Sequence, residues 1–495
     1  MEAKTMLYQS TRNKNLTATG PQAILRGIAP DGGLYMIPDF SEVSLDWKAL
    51  LDLDTIPMAA KILQAILPDF SPEEMEELSK KAYCGKFETE DLTPLAKVGN
   101  RYVLELFRGP TSAFKDVALS MLPQLMTASK AKTGMTEEIV ILTATSGDTG
   151  KAALEGFHDV EGIRIIVFFP NNGVSAVQKA QMVTQSGANV LVAAINGNFD
   201  DAQTGVKKTF AAAADADLKG IELSSANSIN IGRLAPQVVY YFKAYADLVR
   251  EKTIEVGDEV SFVVPTGNFG DILAGYFAKK LGLPVKKLIC ASNENKVLTD
   301  FLEKGFYDRK RPFYKTTSPS MDILVSSNLE RLLFMASDGD NELVADLMKQ
   351  LNEQGSYQIP AEMLQKIQEE FGAGFCDDAK TAEYIAKVWT DYGYLMDTHT
   401  AVGWAVSEDY VKEATEPVIV LSTASPFKFP HAVLSALGET PADDEFDCLT
   451  QLEALSGLPI PKNLAGLKNA KVLHETVIEK DDLVDFALNQ AKKFY

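Results

Sequence analysis

Short, β-branched apolar runs alternate with helical segments over most of the chain, and this alternation is the strongest constraint on the fold. The runs are EEIVILTAT, IRIIVFFP, ANVLVAAIN, VSFVVPT, KKLICAS and PVIVLSTAS, and helical stretches such as SAVQKAQMVTQSG lie between them. Strands that are apolar on both faces are typical of parallel sheets covered by helices. The sequence therefore predicts an α/β protein with an open, mostly parallel sheet.

The chain divides into regions of different pattern. Residues 1–90 precede the alternation, and their stretch SPEEMEELSKKAY predicts an amphipathic helix with Ser71 as N-cap. Residues 91–430 form the alternating core, in which the strand signal fades between about 300 and 412, so that this segment is predicted to be helical. Residues 431–495, acidic around TPADDEFD, are predicted to be a peripheral C-terminal extension.

The composition argues against several classes of partner. The chain has 495 residues and a formal net charge of −20, so no basic field attracts a nucleic acid. Four dispersed cysteines favour reduced thiols and a cytoplasmic location. Four scattered histidines give no metal-ligand spacing. No apolar run approaches about 18 residues, and the N-terminus lacks a signal-peptide core. We therefore expect no membrane partner and no metal. Because the chain as a whole is acidic, an anionic substrate requires a local basic site.

Three predicted strands end in unusual loops, TSGDTG, PTGNFGD and STASPFKF. Ligands of open α/β sheets usually bind at the carboxyl ends of strands. In the second loop, the glycines around Asn268 allow close backbone approach, and the helix that follows offers free N–H groups, a combination that binds phosphate. It matches neither a Walker A loop nor GxGxxG. A tight turn without a ligand remains the alternative.

The other loops permit similar pairs of interpretations. The loop around Asp148 can hold a carboxylate at a helix start or serve as an ordinary helix cap. Arg233, in NSINIGR, can clamp a phosphate or form a structural ion pair. Thr423 can meet a neutral ring nitrogen or bond to nearby backbone. Lys115, in RGPTSAFKD, can be a desolvated amine suited to a Schiff base or a lysine that extends to solvent.

Taken together and in this order, GPTSAFKD, SGDTG, NSINIGR, PTGNFGD and LSTASPFKF resemble the motifs of the threonine synthases. These are pyridoxal-phosphate (PLP) enzymes of the tryptophan-synthase-β-like fold type II. The resemblance runs from the N-terminal YQSTRN to about residue 430. It implies two open, mostly parallel α/β lobes with an N-terminal domain and a helical insertion. It also implies PLP as cofactor and a lyase that converts O-phospho-L-homoserine and water to L-threonine and phosphate.

The resemblance also implies roles for individual residues. Lys115 is the implied catalytic residue, bound covalently to PLP. The implied contacts of the cofactor, beside Lys115, are Gly267, Asn268, Phe269, Gly270, Asp271 and Thr423. The implied contacts of the substrate are Ser146, Gly147, Asp148, Thr149, Arg233, Ser10 and Thr11. In one departure, this chain has Arg108 where the family often has histidine, and an arginine there could bind substrate phosphate.

Two alternatives differ from this interpretation. The first is another PLP-dependent lyase, dehydratase or phospho-lyase of the same fold, which releases ammonia instead of making threonine. The second is a catalytically inactive binding protein, against which the retention of Lys115, the GNFGD loop and Thr423 argues. In each case we expect a small-molecule ligand, no nucleic acid, and a monomer or homodimer.

Overall fold

The computed structural model describes residues 6–213 and 216–493. The first part of the chain forms, in order, β1 (Leu7–Ser10), β2 (Asn13–Thr19), α1 (Gly20–Arg26), β3 (Tyr35–Met36), α2 (Thr55–Ile66), α3 (Pro72–Tyr83), β4 (Leu95–Val98), β5 (Arg101–Glu105), α4 (Lys115–Thr133), β6 (Glu138–Ala144) and α5 (Asp148–Phe157). The middle part continues with β7 (Ile163–Pro170), α6 (Ala176–Val183), β8 (Val190–Asn196), α7 (Phe199–Ala213), β9 (Ile221–Ser224), α8 (Ile231–Leu234), α9 (Val238–Arg250), β10 (Val260–Pro265), α10 (Gly270–Lys280), β11 (Val285–Ser292), α11 (Val297–Lys304) and β12 (Phe306–Asp308).

The last part completes the order with α12 (Leu329–Ala336), α13 (Asn341–Gln354), β13 (Ser356–Gln358), α14 (Ala361–Glu370), β14 (Phe371–Phe375), α15 (Asp378–Tyr392), α16 (Thr398–Glu413), β15 (Val418–Ser422), α17 (Pro430–Ala436), α18 (Glu445–Ser456), β16 (Thr476–Glu479) and α19 (Leu483–Lys493). None of the helices within the described residues has the length and apolar character needed to cross a lipid bilayer.

Two large sheets organise these elements. One has the strand order β14-β11-β10-β15-β5-β4, parallel except for the β4–β5 pair, and the other has the all-parallel order β16-β8-β7-β6-β9. All eight residues of β7 are buried, because it is an interior strand of its sheet and both of its faces are covered. The predicted α/β class with mostly parallel sheets is confirmed.

The N-terminal region packs beside the core as a small unit of its own. Its three-stranded antiparallel sheet has the order β2-β1-β3. The predicted helix after Ser71 is confirmed as α3, and Ser71 and Glu74 form a reciprocal capping box. The buried Arg331 of α12 donates to the Tyr35 carbonyl of β3 at 2.9 and 3.1 Å, so this region is tied to the core.

The structure corrects two expectations about the later part of the chain. The segment between 300 and 412 is mostly helical but also contains β12, β13 and β14. The glycine-rich β14 (FGAGF) lacks an apolar run, and it is a strand because it pairs in parallel with β11 at the sheet edge. The segment 431–495 is not merely peripheral, because its strand β16 extends the five-stranded sheet beside β8.

Candidate active site

A cavity of about 310 Å³ lies where loops from the two large sheets meet. It is lined by the loop after β6, the loop after β10, the residue that follows β15, the start of α4, and α8. The carboxyl ends of parallel strands therefore converge on one space, as is usual for ligand sites in open α/β sheets. The three loops singled out in the sequence contribute to the lining of this one cavity.

Lys115 is the first residue of α4 and is only 9% exposed. Burial lowers the pKa of its ammonium group to about 8, against the opposing charge of Asp148. The positive charges of Arg233 and Lys428 lower this pKa further. Its Nζ lies 4.4 Å from the centroid of the Phe114 ring. A buried lysine whose neutral form is accessible near neutral pH can act as a nucleophile or as a base.

The turn before Lys115 is organised by the next residue, Asp116. Its carboxylate accepts the N–H groups of Thr111 at 2.8 Å and Ala113 at 3.4 Å. A Cβ added at Gly109 would lie 2.5 Å from the Asp116 Cβ, so the close approach requires glycine. The residues GPTSAFKD thus form a fixed turn that presents Lys115 to the cavity.

The loop between β10 and α10 brings unused backbone donors to the cavity. Within the part of the chain that the structure describes, the N–H groups of residues 267–270 donate to no protein acceptor. The carbonyl groups of this loop are used instead, since that of Gly267 accepts from the Ser326 hydroxyl and that of Asn268 from the Asn328 N–H. Phe269 adopts a left-handed φ of 61° before the helix begins. Free N–H groups at a helix start form a phosphate-binding cradle.

Replacing Gly267 with alanine is expected to weaken PLP binding at least about tenfold. A Cβ at this position would lie 2.7 Å from the carbonyl oxygen of Ser320, so the loop must shift within the cradle. Titration of the PLP-free protein with PLP measures the effect. Gly372→Ala is the matched control, because its new Cβ meets only the Ile289 side chain at 3.4 Å, and its PLP affinity should equal that of the wild type. Equal affinity of both variants would contradict the proposed cradle.

The loop after β6 contributes a buried ion pair. Ser146, Asp148 and Thr149 line the cavity, with Gly147 between them at a φ of 138°. The Asp148 carboxylate lies 2.6 Å from the Lys428 Nζ, and both side chains are almost completely buried. Burial alone raises the pKa of Asp148, but the charges of Lys428 and then Lys115 outweigh it and hold this pKa well below its usual range.

Arg233 lies in α8 and is 2% exposed. Its Nη1 donates to the Ala226 carbonyl at 2.6 Å, and its Nε has no hydrogen-bond partner among the described residues. Burial lowers the pKa of its guanidinium to about 10. A buried cation beside a cavity is suited to an anionic ligand. Arg233 is therefore a candidate for the local basic site that the acidic chain requires.

Thr423 follows β15 and also fastens the turn that carries Lys115. Its side chain is in the cavity lining, and its carbonyl accepts the Phe114 N–H at 2.8 Å. The Ser425 N–H donates to the Ser112 carbonyl at 3.1 Å. These backbone hydrogen bonds fix the position of Lys115 relative to Thr423. The two side chains are expected to contact different parts of the cofactor.

Two N-terminal residues predicted to contact the substrate lie outside the cavity lining. The Ser10 hydroxyl donates to the Asp31 carboxylate at 2.9 Å, and the Thr11 hydroxyl donates to Glu330 at 2.5 Å. Arg12 pairs with the same Glu330 at 2.7 Å. Thr11 and Arg12 therefore join the N-terminal strands to α12, and the Ser10 hydroxyl is bound within the N-terminal region.

Arg108 also has protein partners. It lies 2.6 Å from Glu105 and 3.1 Å from Glu88, and it is not among the cavity-lining residues. The suggestion that this arginine binds substrate phosphate is therefore not supported by its position.

His399 and Lys428 are two buried site residues to which the sequence analysis gave no role. The His399 Nδ1 lies 2.7 Å from Asp397, and its Nε2 accepts the Ser320 N–H at 3.2 Å. Since Nε2 is an acceptor, Nδ1 carries the proton that is donated to Asp397. His399 thereby holds the short turn around Ser320 against the cavity. The only sequence signal for Lys428 is its position between two phenylalanines in SPFKFP.

The residues present fit PLP. The cofactor needs a lysine amine, a phosphate cradle and a partner for its ring nitrogen. Lys115, the free N–H groups of residues 267–270 and Thr423 line one cavity and can supply all three.

Comparison with known proteins agrees with this geometry. The chain matches the family described as pyridoxal-phosphate dependent enzyme over residues 88–423, that described as threonine synthase N terminus over 7–83, and that described as threonine synthase, C-terminal over 400–478. It is 41% identical to threonine synthase-like 1 of Macaca fascicularis, an alignment that covers 84% of this chain and 58% of that protein. The chain thus spans little more than half the length of that relative.

Other relatives match over nearly their whole length. The threonine synthase of Pseudomonas aeruginosa is 39% identical over 88% of this chain and 92% of its own. The crystal structure of the PLP-bound threonine synthase from Brucella melitensis superposes with a TM-score of 0.85 at 38% identity, covering 98% of this chain and all of that one. The resemblance seen in the sequence motifs and the implied cofactor, PLP, are therefore confirmed. The chain belongs to the threonine synthase family of pyridoxal-phosphate dependent enzymes.

Proposed function

We propose that the protein is a threonine synthase that converts O-phospho-L-homoserine and water to L-threonine and phosphate. The observation that carries this proposal is that one cavity offers two features suited to a phosphate. These are the free N–H groups of residues 267–270 and the buried guanidinium of Arg233, a residue of the cavity lining. The cofactor carries one phosphate and the substrate carries a second. A PLP enzyme for a phosphorylated amino acid therefore needs two phosphate-binding features.

The cofactor's proposed contacts follow from the lining of the cavity. Lys115 binds it covalently, the N–H groups of residues 267–270 hold its phosphate, and Thr423 meets its ring nitrogen. A hydroxyl at that nitrogen leaves it unprotonated, whereas a carboxylate would keep it protonated. When bound, PLP supplies the electron sink that allows protons to leave the adjacent carbon atoms.

Lys115 is the proposed base for the carbon-bound protons. Its lowered pKa makes the neutral amine available near neutral pH. The product carries its new hydroxyl on Cβ although the phosphate leaves from Cγ, so protons must leave both Cα and Cβ. The same amine takes the proton from Cα and then one from Cβ, and it returns protons to Cα and Cγ.

The remaining cavity residues are proposed to bind the substrate. The guanidinium of Arg233 is already desolvated, so it stabilises negative charge on the departing phosphate more strongly than a hydrated cation does. The N–H groups of Ser146, Asp148 and Thr149, with the hydroxyls of Ser146 and Thr149, are the proposed site of the substrate carboxylate at the start of α5. The carboxylate of Asp148 does not oppose this binding, because Lys428 neutralises it.

Reconstitution of the PLP-free protein should depend on pH through Lys115. Only the neutral amine forms the bond to the cofactor, and the pKa of Lys115 is lowered to about 8. The rate of reconstitution is therefore expected to fall about tenfold for each pH unit below about 8. Stopped-flow absorbance of the bound cofactor measures this rate. A rate that does not change between about pH 6 and about pH 8 would show that the amine is neutral throughout that range.

The proposed function is tested with the PLP-loaded protein and O-phospho-L-homoserine. Threonine and free phosphate are quantified together, and equal amounts of both are expected. Phosphate accompanied by 2-oxobutyrate and ammonia would identify an eliminating relative instead. If neither product forms while the visible absorbance of bound PLP persists, the protein is a PLP-dependent enzyme that acts on a different substrate.

We further propose that the protein works in the cytoplasm as a monomer or homodimer. Its four cysteines are free thiols, three of them buried, which suits a reducing compartment. Sedimentation equilibrium of the PLP-loaded protein distinguishes the two assembly states, and a larger assembly would contradict both.

A further inference from the structure

The turn that presents Lys115 to the cavity contains a backbone conformation that its residue type disfavours. Ser112, which precedes Lys115 in this turn, has a φ of 60°, in the left-handed region that residues other than glycine seldom adopt. Its N–H donates to the Gly109 carbonyl at 3.1 Å, and its carbonyl accepts the Ser425 N–H at 3.1 Å. Because α4 begins at Lys115, a relaxation of Ser112 would move the start of this helix and the lysine with it.

The side-chain amide of Asn463 contacts this turn at two positions. Its Nδ2 donates to the Pro110 carbonyl at 2.7 Å, and the Ser112 Oγ lies 3.0 Å from its Oδ1 and 2.9 Å from its Nδ2. Since a carbonyl can only accept, the amide atom that faces Pro110 is the nitrogen. No other donor among the described residues reaches the Pro110 carbonyl. Asn463 thus satisfies a carbonyl and a hydroxyl of the turn together.

The position of Asn463 is itself fixed. It lies between α18 and β16, in the C-terminal segment. The neighbouring Leu464 is 1% exposed and belongs to the same apolar cluster as Leu452 of α18 and Phe427. The Leu464 N–H donates to the Pro461 carbonyl at 2.9 Å, which closes a local turn. Asn463 therefore presents its amide from a segment that is anchored in the core.

Asn463 does not contact the ligand site directly. It is not among the residues that line the cavity, whereas Lys115, Asp271 and Thr423 are. Thr423 also bonds to the turn, so its replacement would change the lining as well as the turn. Replacement of Asn463 leaves the lining residues unchanged and alters only the support of the turn. Its effect on Lys115 can therefore be measured apart from the binding of a ligand.

We propose that Asn463 is a positioning residue that holds Ser112 in its left-handed conformation and thereby fixes the Lys115 amine where it bonds to PLP. This inference rests on the proposed role of Lys115. In forming the bond, the amine nitrogen attacks the aldehyde carbon of PLP, and the aldehyde oxygen leaves as water. A displaced amine attacks more slowly even when the cofactor is held in place, because such reactions depend steeply on the distance and angle of approach.

The test compares bond formation with cofactor binding in Asn463→Ala. Saturating PLP is mixed with the PLP-free protein, and the rate at which the absorbance of bound PLP appears is expected to fall at least about tenfold below that of the wild type. Pyridoxine 5′-phosphate carries an alcohol in place of the aldehyde and cannot form the bond. Its affinity should change less than about twofold, because the cavity lining is intact. Asn469→Ala, which alters an exposed asparagine of the same segment, should match the wild type in both measurements.

Two double variants show whether Asn463 acts through Ser112. Ser112→Gly removes the Cβ that disfavours a φ of 60°, whereas Ser112→Ala retains it, and both remove the hydroxyl. When Asn463→Ala is combined with Ser112→Gly, the rate of bond formation should recover to within about threefold of the wild type. When it is combined with Ser112→Ala, the rate should stay at least about tenfold below the wild type.

A wild-type rate in Asn463→Ala, equal rates in the two double variants, or a loss of affinity for pyridoxine 5′-phosphate as large as the loss of rate would each overturn the proposal. None of these measurements depends on turnover. A wild type that makes no threonine would therefore defeat the proposed function alone. Absorbance of bound PLP that persists in Lys115→Ala would defeat the proposed role of Lys115 and the role of Asn463 with it.

Discussion

Lys115→Ala is expected to abolish the visible absorbance of covalently bound PLP and to lower the turnover of O-phospho-L-homoserine by about 10³-fold or more. The variant loses the bond to the cofactor and the base for two carbon-bound protons at once. The fold should persist, because Lys115 forms no salt bridge with the residues that the structure describes and alanine is a good helix former at the start of α4. Absorbance spectroscopy and a phosphate-release assay measure the two effects.

Two controls accompany this variant. Lys80→Ala removes an exposed lysine of α3 that pairs with Glu76 on the same helix, and it should retain wild-type absorbance and turnover. A small primary amine added to Lys115→Ala should restore part of the turnover, because it can replace the missing base. Undiminished turnover by Lys115→Ala would refute the central assignment of the site.

The sequence was most informative where one residue type is required locally. The apolar runs predicted parallel strands because a strand covered on both faces must be apolar throughout, as in β7. The turn before Lys115 was recognisable because Gly109 and Pro110 break regular structure, and the phosphate loop because its glycines precede a helix. In each case the physical requirement lies within a few residues of the side chain that it serves.

Features that depend on distant parts of the chain were missed. Lys428 and Asp148 form their pair only after the two sheets have come together. Thr11 looked like a ligand contact, but its partner is Glu330, more than three hundred residues away along the chain. The strand β14 exists because β11 offers a free edge, not because its own residues favour a strand. Neither periodicity nor local motifs report such long-range pairings.

Lys428→Met is expected to lower the free energy of unfolding by about 3–5 kcal/mol. Methionine is close to lysine in volume, so packing is largely retained, but Asp148 is left charged and buried without its partner at 2.6 Å. The Gln178 amide, at 2.9 Å from Asp148, compensates only in part. Urea unfolding of the PLP-loaded variant and wild type measures the difference.

A second substitution shows whether the unpaired charge causes this loss. Lys428→Met combined with Asp148→Asn removes both charges and should recover most of the stability, since a neutral pair of similar shape carries no buried charge.

The pH dependence gives a further check. The folded-state pKa of Asp148 is depressed in the wild type, so its stabilisation is present above the usual aspartate range and is lost as the pH falls. Without Lys428 this depression is reduced, and the gap between wild type and Lys428→Met should narrow in acid. A gap that is independent of pH, or a double variant no more stable than the single one, would mean that Lys428 acts through packing.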